Sequence, residues 1–223
     1  MVSVTLVMKV RIENRRQRAM TAFEVMAVVA CILLLAAMVL PILTQPRRPR
    51  GINCVSNLKQ VDLAFRIWEG DNGNLYPMAV SITNGGAMET METGNLTACL
   101  QCASNEMSST KIFVCPGDPD RTFATNWNEL NSLHVSYFIS ADASEDHPEM
   151  VLDGDDNFLL SGKPVKSGLL ELSSNSPVAW SGKRHRYCGN LGFADGSVQQ
   201  ESQGDLQQAI QGTGRAKNRI VIP

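Results

Sequence analysis

The sequence has no excess of basic residues: 20 Lys and Arg stand against 22 Asp and Glu, for a formal net charge of −2. A general nucleic-acid binder needs a basic face to neutralise phosphates, so no nucleic acid is expected among the partners. Aromatic residues make up only 6% of the chain, so its core must be small. There is no Gly-x-Ser-x-Gly, no phosphate-binding Walker loop, no HExxH and no internal repeat. Histidine is limited to His134, His147 and His185. A Cys/His/Asp site from His185, Cys188 and Asp195 can be drawn, but nothing in the spacing requires it, and the chain reads as a non-enzyme.

Charge is also missing locally. From Val25 to Leu43 no side chain is charged or polar, a run of nineteen residues. About 20 apolar residues in a helix cross the ~30 Å hydrocarbon core. Lys9, Arg11, Arg15, Arg16 and Arg18 precede the run, opposed only by Glu13. The positive-inside rule keeps such a flank cytoplasmic and sends the rest of the chain out. A secretory signal peptide is disfavoured, because the run is long and TQPRRPRG follows it without a small-x-small cleavage site. A plain signal anchor stays open.

Glu24 shifts that balance. A lone carboxylate at the edge of an apolar helix costs a few kcal/mol to bury and is by default a functional hypothesis. With Thr21, Pro41, the basic leader and the apolar length, it resembles the prepilin N-terminal cleavage and methylation segment. The resemblance implies cleavage between Ala19 and Met20, N-methylation of Met20, and assembly residues Glu24, Thr21 and Pro41. Ala19 and Met20 depart from that family's usual Gly and Phe. The new Met20 amine would be cationic, and Glu24 of one subunit could pair with it in the next. Such a pair fixes register, since any other alignment leaves a buried charge unpaired.

A break or kink is expected over 45–51, where Pro46 and Pro49 lie. Ile52, Val55, Leu58, Val61, Phe65 and Trp68 then recur at helical spacing, which predicts a second helix from Ile52 to Glu69, stopped by the turn sequence Asp71–Asn74. Val135–Ser140, Met150–Leu152, Pro177–Trp180 and Leu191–Gln200 read as strands, the last as a hairpin turning at Asp195-Gly196. Helix first and antiparallel strands after predict an α+β fold. CVSNLKQVDLAFRIW, NEMSSTKIFVCPGD, VSYFISADASEDHPEMVLDGD and GNLGFADGSVQQ together resemble the soluble part of type II secretion protein G-like pseudopilins.

These resemblances imply a pilin-like α+β fold: a long, kinked N-terminal hydrophobic helix followed by a small antiparallel sheet with long loops. The implied divisions are a cytoplasmic leader over 1–19, a transmembrane and assembly helix over 20–43, a Pro/Arg-rich break over 44–51, and a soluble domain over 52–223. The implied function is that of a structural subunit of a periplasmic pseudopilus for protein secretion, resident in the bacterial inner membrane. Its partners would be the prepilin peptidase, other pseudopilin subunits, the inner-membrane secretion platform and membrane lipid. The alternatives are an uncleaved, membrane-anchored binding module and a minor pilin of a surface fibre.

Cys31 lies in the apolar run as a small apolar residue. Outside the cytoplasm disulfides are permitted, and because Cys54 and Cys115 both fall in the family-like motifs, they are the preferred pair; spacing alone does not give connectivity. The alternatives are zinc on Cys99 and Cys102 with Cys115, Cys188 or His185, and redox chemistry at the Cys99-x-x-Cys102 pair. Asp153, Asp155, Asp156 and Asn157 offer hard oxygen ligands suited to calcium, against the alternative of a solvated loop. No other cofactor is expected.

Overall fold

The computed structural model describes residues 21–44 and 51–223, with side chains described over 21–37 and 52–223. The chain divides into two compact units, Met1–Arg47 and Arg48–Pro223. In the first, α1 spans Ala22–Thr44. Its start is set locally. The Thr21 hydroxyl accepts from the Glu24 N–H, and the Glu24 carboxylate accepts from the Thr21 N–H at 2.9 Å. That reciprocal arrangement satisfies two donors that a helix N-terminus leaves free. Phe23, Ile32, Leu33, Leu34 and Leu35 are all exposed.

The second unit opens with α2, Gly51–Asp71. Short helices α3 (Met88–Glu92) and α4 (Leu96–Cys102) follow, then nine strands and α5 (Asp205–Gly212). The strands are β1 (Tyr137–Ser140), β2 (Val151–Asp155), β3 (Phe158–Leu160), β4 (Lys163–Pro164), β5 (Gly168–Ser173), β6 (Val178–Trp180), β7 (Gly189–Phe193), β8 (Val198–Glu201) and β9 (Lys217–Ile222). All strand pairs are antiparallel. The main sheet has the order β5-β9-β1-β2-β7-β8, and β4-β3-β6 form a second one.

Each face of the main sheet carries its own core. Val61, Phe65 and Trp68 of α2 pack with Met91, Leu100 and Phe113 and with Ile139, Leu152 and Val221 of the sheet. On the other face Phe138, Leu191 and Ile220 meet Phe158, Trp180, Leu206 and Ile210. Alternation along a strand explains the division, since neighbours in β1 point to opposite faces. Gly189 lets the strand pass flush against the Trp180 ring, which occupies the space a Cβ there would need.

The expected fold is corrected here. Among the described residues no helix is long and apolar enough to cross a membrane, so the long hydrophobic N-terminal helix is not found. The helical part is instead split between α1 and α2, in separate units. The physical reason lies in α2. Its buried stripe alternates with exposed polar positions such as Lys59 and Gln60, so it is a half-buried lid on the sheet and does not prolong an apolar stem. The β-structure is larger than the small sheet expected, and the polar-looking stretch before β1 is folded into α3, α4 and several 3-10 turns that supply core residues.

The helix expected over Ile52–Glu69 coincides with α2, although Ile52 itself is exposed. The four expected strands fall on β1, β2, β6 and the β7–β8 hairpin, whose turn holds Gly196 at φ 81°. Strands β3, β4, β5 and β9 lie outside the expected segments, and β9 lies inside the main sheet between β5 and β1. The break expected over 45–51 and the cleavage residues Ala19 and Met20 lie outside the described residues, Gly51 excepted.

Candidate functional site

The chemistry concentrates at the N-terminal end of α2, where four segments meet. Cys54 comes from α2 and Cys115 from the turn after Phe113. Asp155 ends β2, and His185 is carried by the loop between β6 and β7. Cys54 and Cys115 are joined by a disulfide with Cα atoms 5.4 Å apart, within the usual span for that bond. Around it, Leu58 and Tyr137 are buried. Asn57 donates to the Val114 carbonyl oxygen at 3.3 Å and to the Tyr137 hydroxyl at 3.4 Å, tying the same helix turn to the same segments.

His185 Nε2 lies 3.2 Å from Cys115 Sγ and 3.5 Å from Asp155 Oδ2. Its side chain is 2% exposed and that of Asp155 is 0% exposed. Asp155 Oδ2 accepts from the Asn190 backbone N–H at 2.8 Å and from its side-chain amide at 2.7 Å, while Oδ1 is buried without a hydrogen-bond partner. The loop reaches this position at a conformational cost: His185, Arg186 and Tyr187 are all left-handed, with φ 47°, 53° and 65°. That region costs an L-residue about 1–2 kcal/mol each, and runs of such residues persist only where their surroundings hold them.

Arg184, next in the loop, is a buried cation. It pairs with Asp118 at 3.2 Å and with Asp156, donates to the Ser136 carbonyl oxygen at 3.1 Å, and lies 4.0 Å from Asp155 Oδ1. Arg121 holds the other Asp156 oxygen at 3.1 Å. A cleft of about 400 Å³ opens beside this cluster, lined in part by Asp118, Arg121, Asp156, Lys183 and Arg184.

A second buried acidic pair sits under the middle of α2. Asp62 and Asp153 are 1% and 0% exposed, and none of their carboxylate oxygens has a conventional partner. Burial pushes Asp62 up to about 8; its contact with Asp153 pulls the other way. Asp153 is also raised well above the usual range, first by burial and then by the Asp62 charge. Two carboxyls in contact bond to each other only if one keeps a proton. The register shift in β2 between Val151 and Asp153 turns both Leu152 and Asp153 toward α2. Gly192 on β7 leaves the pair room, since a Cβ there would come within 2.8 Å of Asp62 Oδ2.

The acidic run read as a calcium loop is therefore mostly strand. Asp153 faces Asp62, Asp155 faces His185, Asp156 is held by two arginines, and the Asn157 amide donates to the Cys188 carbonyl oxygen at 3.4 Å. Four side chains that point to four different neighbours do not converge on one ion. Cys99 and Cys102 are apart from the His185 cluster, which is the one metal-capable group among the described residues. Both are free, and burial pushes both thiols up, away from the thiolate that zinc or redox chemistry needs. Cys188 and Asp195 do not join His185, for the Asp195 carboxylate accepts from the Ser197 N–H. Thr21 and Glu24 form the α1 cap, and Pro41 lies within the bounds of α1.

Asp155 is a calcium candidate in the sequence and His185 a zinc or catalytic one, but nothing local in the sequence says that they meet. Compared with family models, curated proteins and solved structures, the chain matches none.

Proposed function

We propose that this chain is an exported structural subunit of the pseudopilin kind, with the unit Arg48–Pro223 working outside the cytoplasm. The observation that carries the reading is the Cys54–Cys115 disulfide. Such bonds persist in oxidising compartments and are rare in a reducing cytosol. The basic flank before Val25 supports the same orientation at the bacterial inner membrane. Assembly is supported by α1, whose large apolar side chains Phe23, Ile32, Leu33, Leu34 and Leu35 are exposed and form a surface suited to a partner. Processing by a prepilin peptidase at Ala19–Met20 would free an amine one residue before Thr21 in sequence. Glu24 is then either the local cap or the counter-charge of a neighbour, and assembly would exchange one role for the other. Neighbouring pseudopilin subunits and an inner-membrane secretion platform are the partners this role requires.

The uncleaved, anchored binding module remains the second reading, favoured by the charged cleft beside Arg121 and Arg184. Mass spectrometry of the N-terminus from native membranes, combined with thiol labelling, separates the two. A chain that begins at methylated Met20, with Cys54 and Cys115 protected until reductant is added, is expected. A chain that keeps residues 1–19 with both thiols protected means the anchored module. A full-length chain with both thiols free rejects export as well.

A further inference from the structure

We infer that Cys54, Cys115, Asp155 and His185 form a zinc site when the disulfide is reduced, so that one buried position holds either a disulfide or a metal ion. One ligand atom from each of the four lies within 4.8 Å of the others. Zinc takes four N, O or S ligands at about 2.0–2.3 Å in a tetrahedron, which sets neighbouring ligands about 3.3–3.8 Å apart. The His185 Nε2 distances of 3.2 Å to Cys115 Sγ and 3.5 Å to Asp155 Oδ2 already approach those edges. The two sulfurs must separate, which breaking their bond allows, and any remaining pair must close from no more than 4.8 Å.

Three further observations point to a ligand. Asp155 Oδ2, the oxygen that faces His185, is oriented by two donors from Asn190, while Oδ1 has the Arg184 guanidinium 4.0 Å away. Metal carboxylates are commonly fixed by a second layer of hydrogen bonds in this way. His185 is delivered by three successive left-handed residues, a strained route that a metal–nitrogen bond would offset. The charge also balances. A disulfide is neutral, and a zinc ion on two thiolates is neutral, so exchanging one for the other leaves the charge facing Asp155 and Arg184 unchanged.

The exchange is a two-electron step. A dithiol reductant breaks the Cys54–Cys115 bond, gives two electrons and two protons to the sulfurs, and leaves as its own disulfide. Zinc then replaces both thiol protons, which go to solvent. Oxidation by a disulfide-bearing partner reverses the sequence and releases the ion. The inference does not depend on export or on fibre assembly.

The test uses the full chain in detergent with Cys99→Ala and Cys102→Ala, which removes the other thiol pair. Native mass spectrometry and cobalt(II) absorption are recorded before and after a dithiol reductant, with zinc or cobalt as the probe. One zinc per chain, bound only after reduction with loss of two protons, is expected, together with tetrahedral cobalt–thiolate bands. His185→Ala and Asp155→Asn should each weaken zinc binding by at least about tenfold, while the oxidised proteins keep the disulfide. A reduced chain that takes up no zinc, folded or not, overturns the inference, as does zinc uptake that His185→Ala and Asp155→Asn leave unchanged.

Discussion

Removing the Cys54–Cys115 bond should lower the stability of the Arg48–Pro223 unit by about 4 kcal/mol. The two cysteines are 61 residues apart, and closing a loop of that length removes roughly 14 cal/mol/K of entropy from the unfolded chain, about 4 kcal/mol at 25 °C. For a unit of this size each kcal/mol moves the melting temperature by about 2–4 °C, so the fall should be roughly 8–16 °C. The perturbation is Cys54→Ala with Cys115→Ala. Both positions are 0% exposed, and alanine leaves no polar atom there. Thermal unfolding is followed by circular dichroism with chelator present, so that no metal substitutes for the bond. The effect should be larger than that of severing Asn57 from Val114 and Tyr137, because those contacts act only in the folded state. A fall of less than about 3 °C would refute the reasoning, for it would mean that α2 and the Val114–Cys115 segment are already associated in the unfolded chain.

The Asp62–Asp153 pair should make the oxidised protein less stable as pH rises. The folded chain holds a proton up to about 8 that the unfolded chain releases near 3.8, so stability is full below about 4 and is lost through about 8. Asp62→Asn should reduce that slope, seen as urea midpoints that differ less between pH 5 and pH 8, with the remainder left to Glu69, which burial pushes up to about 7; an unchanged slope would place the titration elsewhere. Arg184→Gln should cost about 3–5 kcal/mol, because Asp118 and Asp156 remain buried with their shared cation gone. Adding Asp156→Asn should recover part of that loss, and a double variant no better than the single would separate the two groups. Gly189→Ala should cost about 1–3 kcal/mol by pressing a methyl into the Trp180 ring, with the change visible in tryptophan fluorescence and in the urea midpoint.

Periodicity decided what is local. The spacing of Leu58, Val61, Phe65 and Trp68 is enough to make α2 a helix with one buried face, because i, i+3 and i+4 positions share a face whatever lies opposite. Asp195-Gly196 is enough to turn the β7–β8 hairpin, since Gly196 takes the positive φ the turn needs. Thr21 and Glu24, three apart, are enough to start α1. What the sequence could not decide was which face the acidic run Asp153–Asp156 would meet. Read alone it is a polar loop; in the fold, β2 has a strand on each side, and burial forces each carboxylate to find a proton, an arginine or an amide. Nor could spacing bring His185, 70 residues from Cys115, to the same point as Asp155 and Cys54. Strand β9, the last segment of the chain, sits inside the sheet beside β1 for the same reason. Contacts between distant segments depend on how the whole chain closes, and only the tertiary structure sets that.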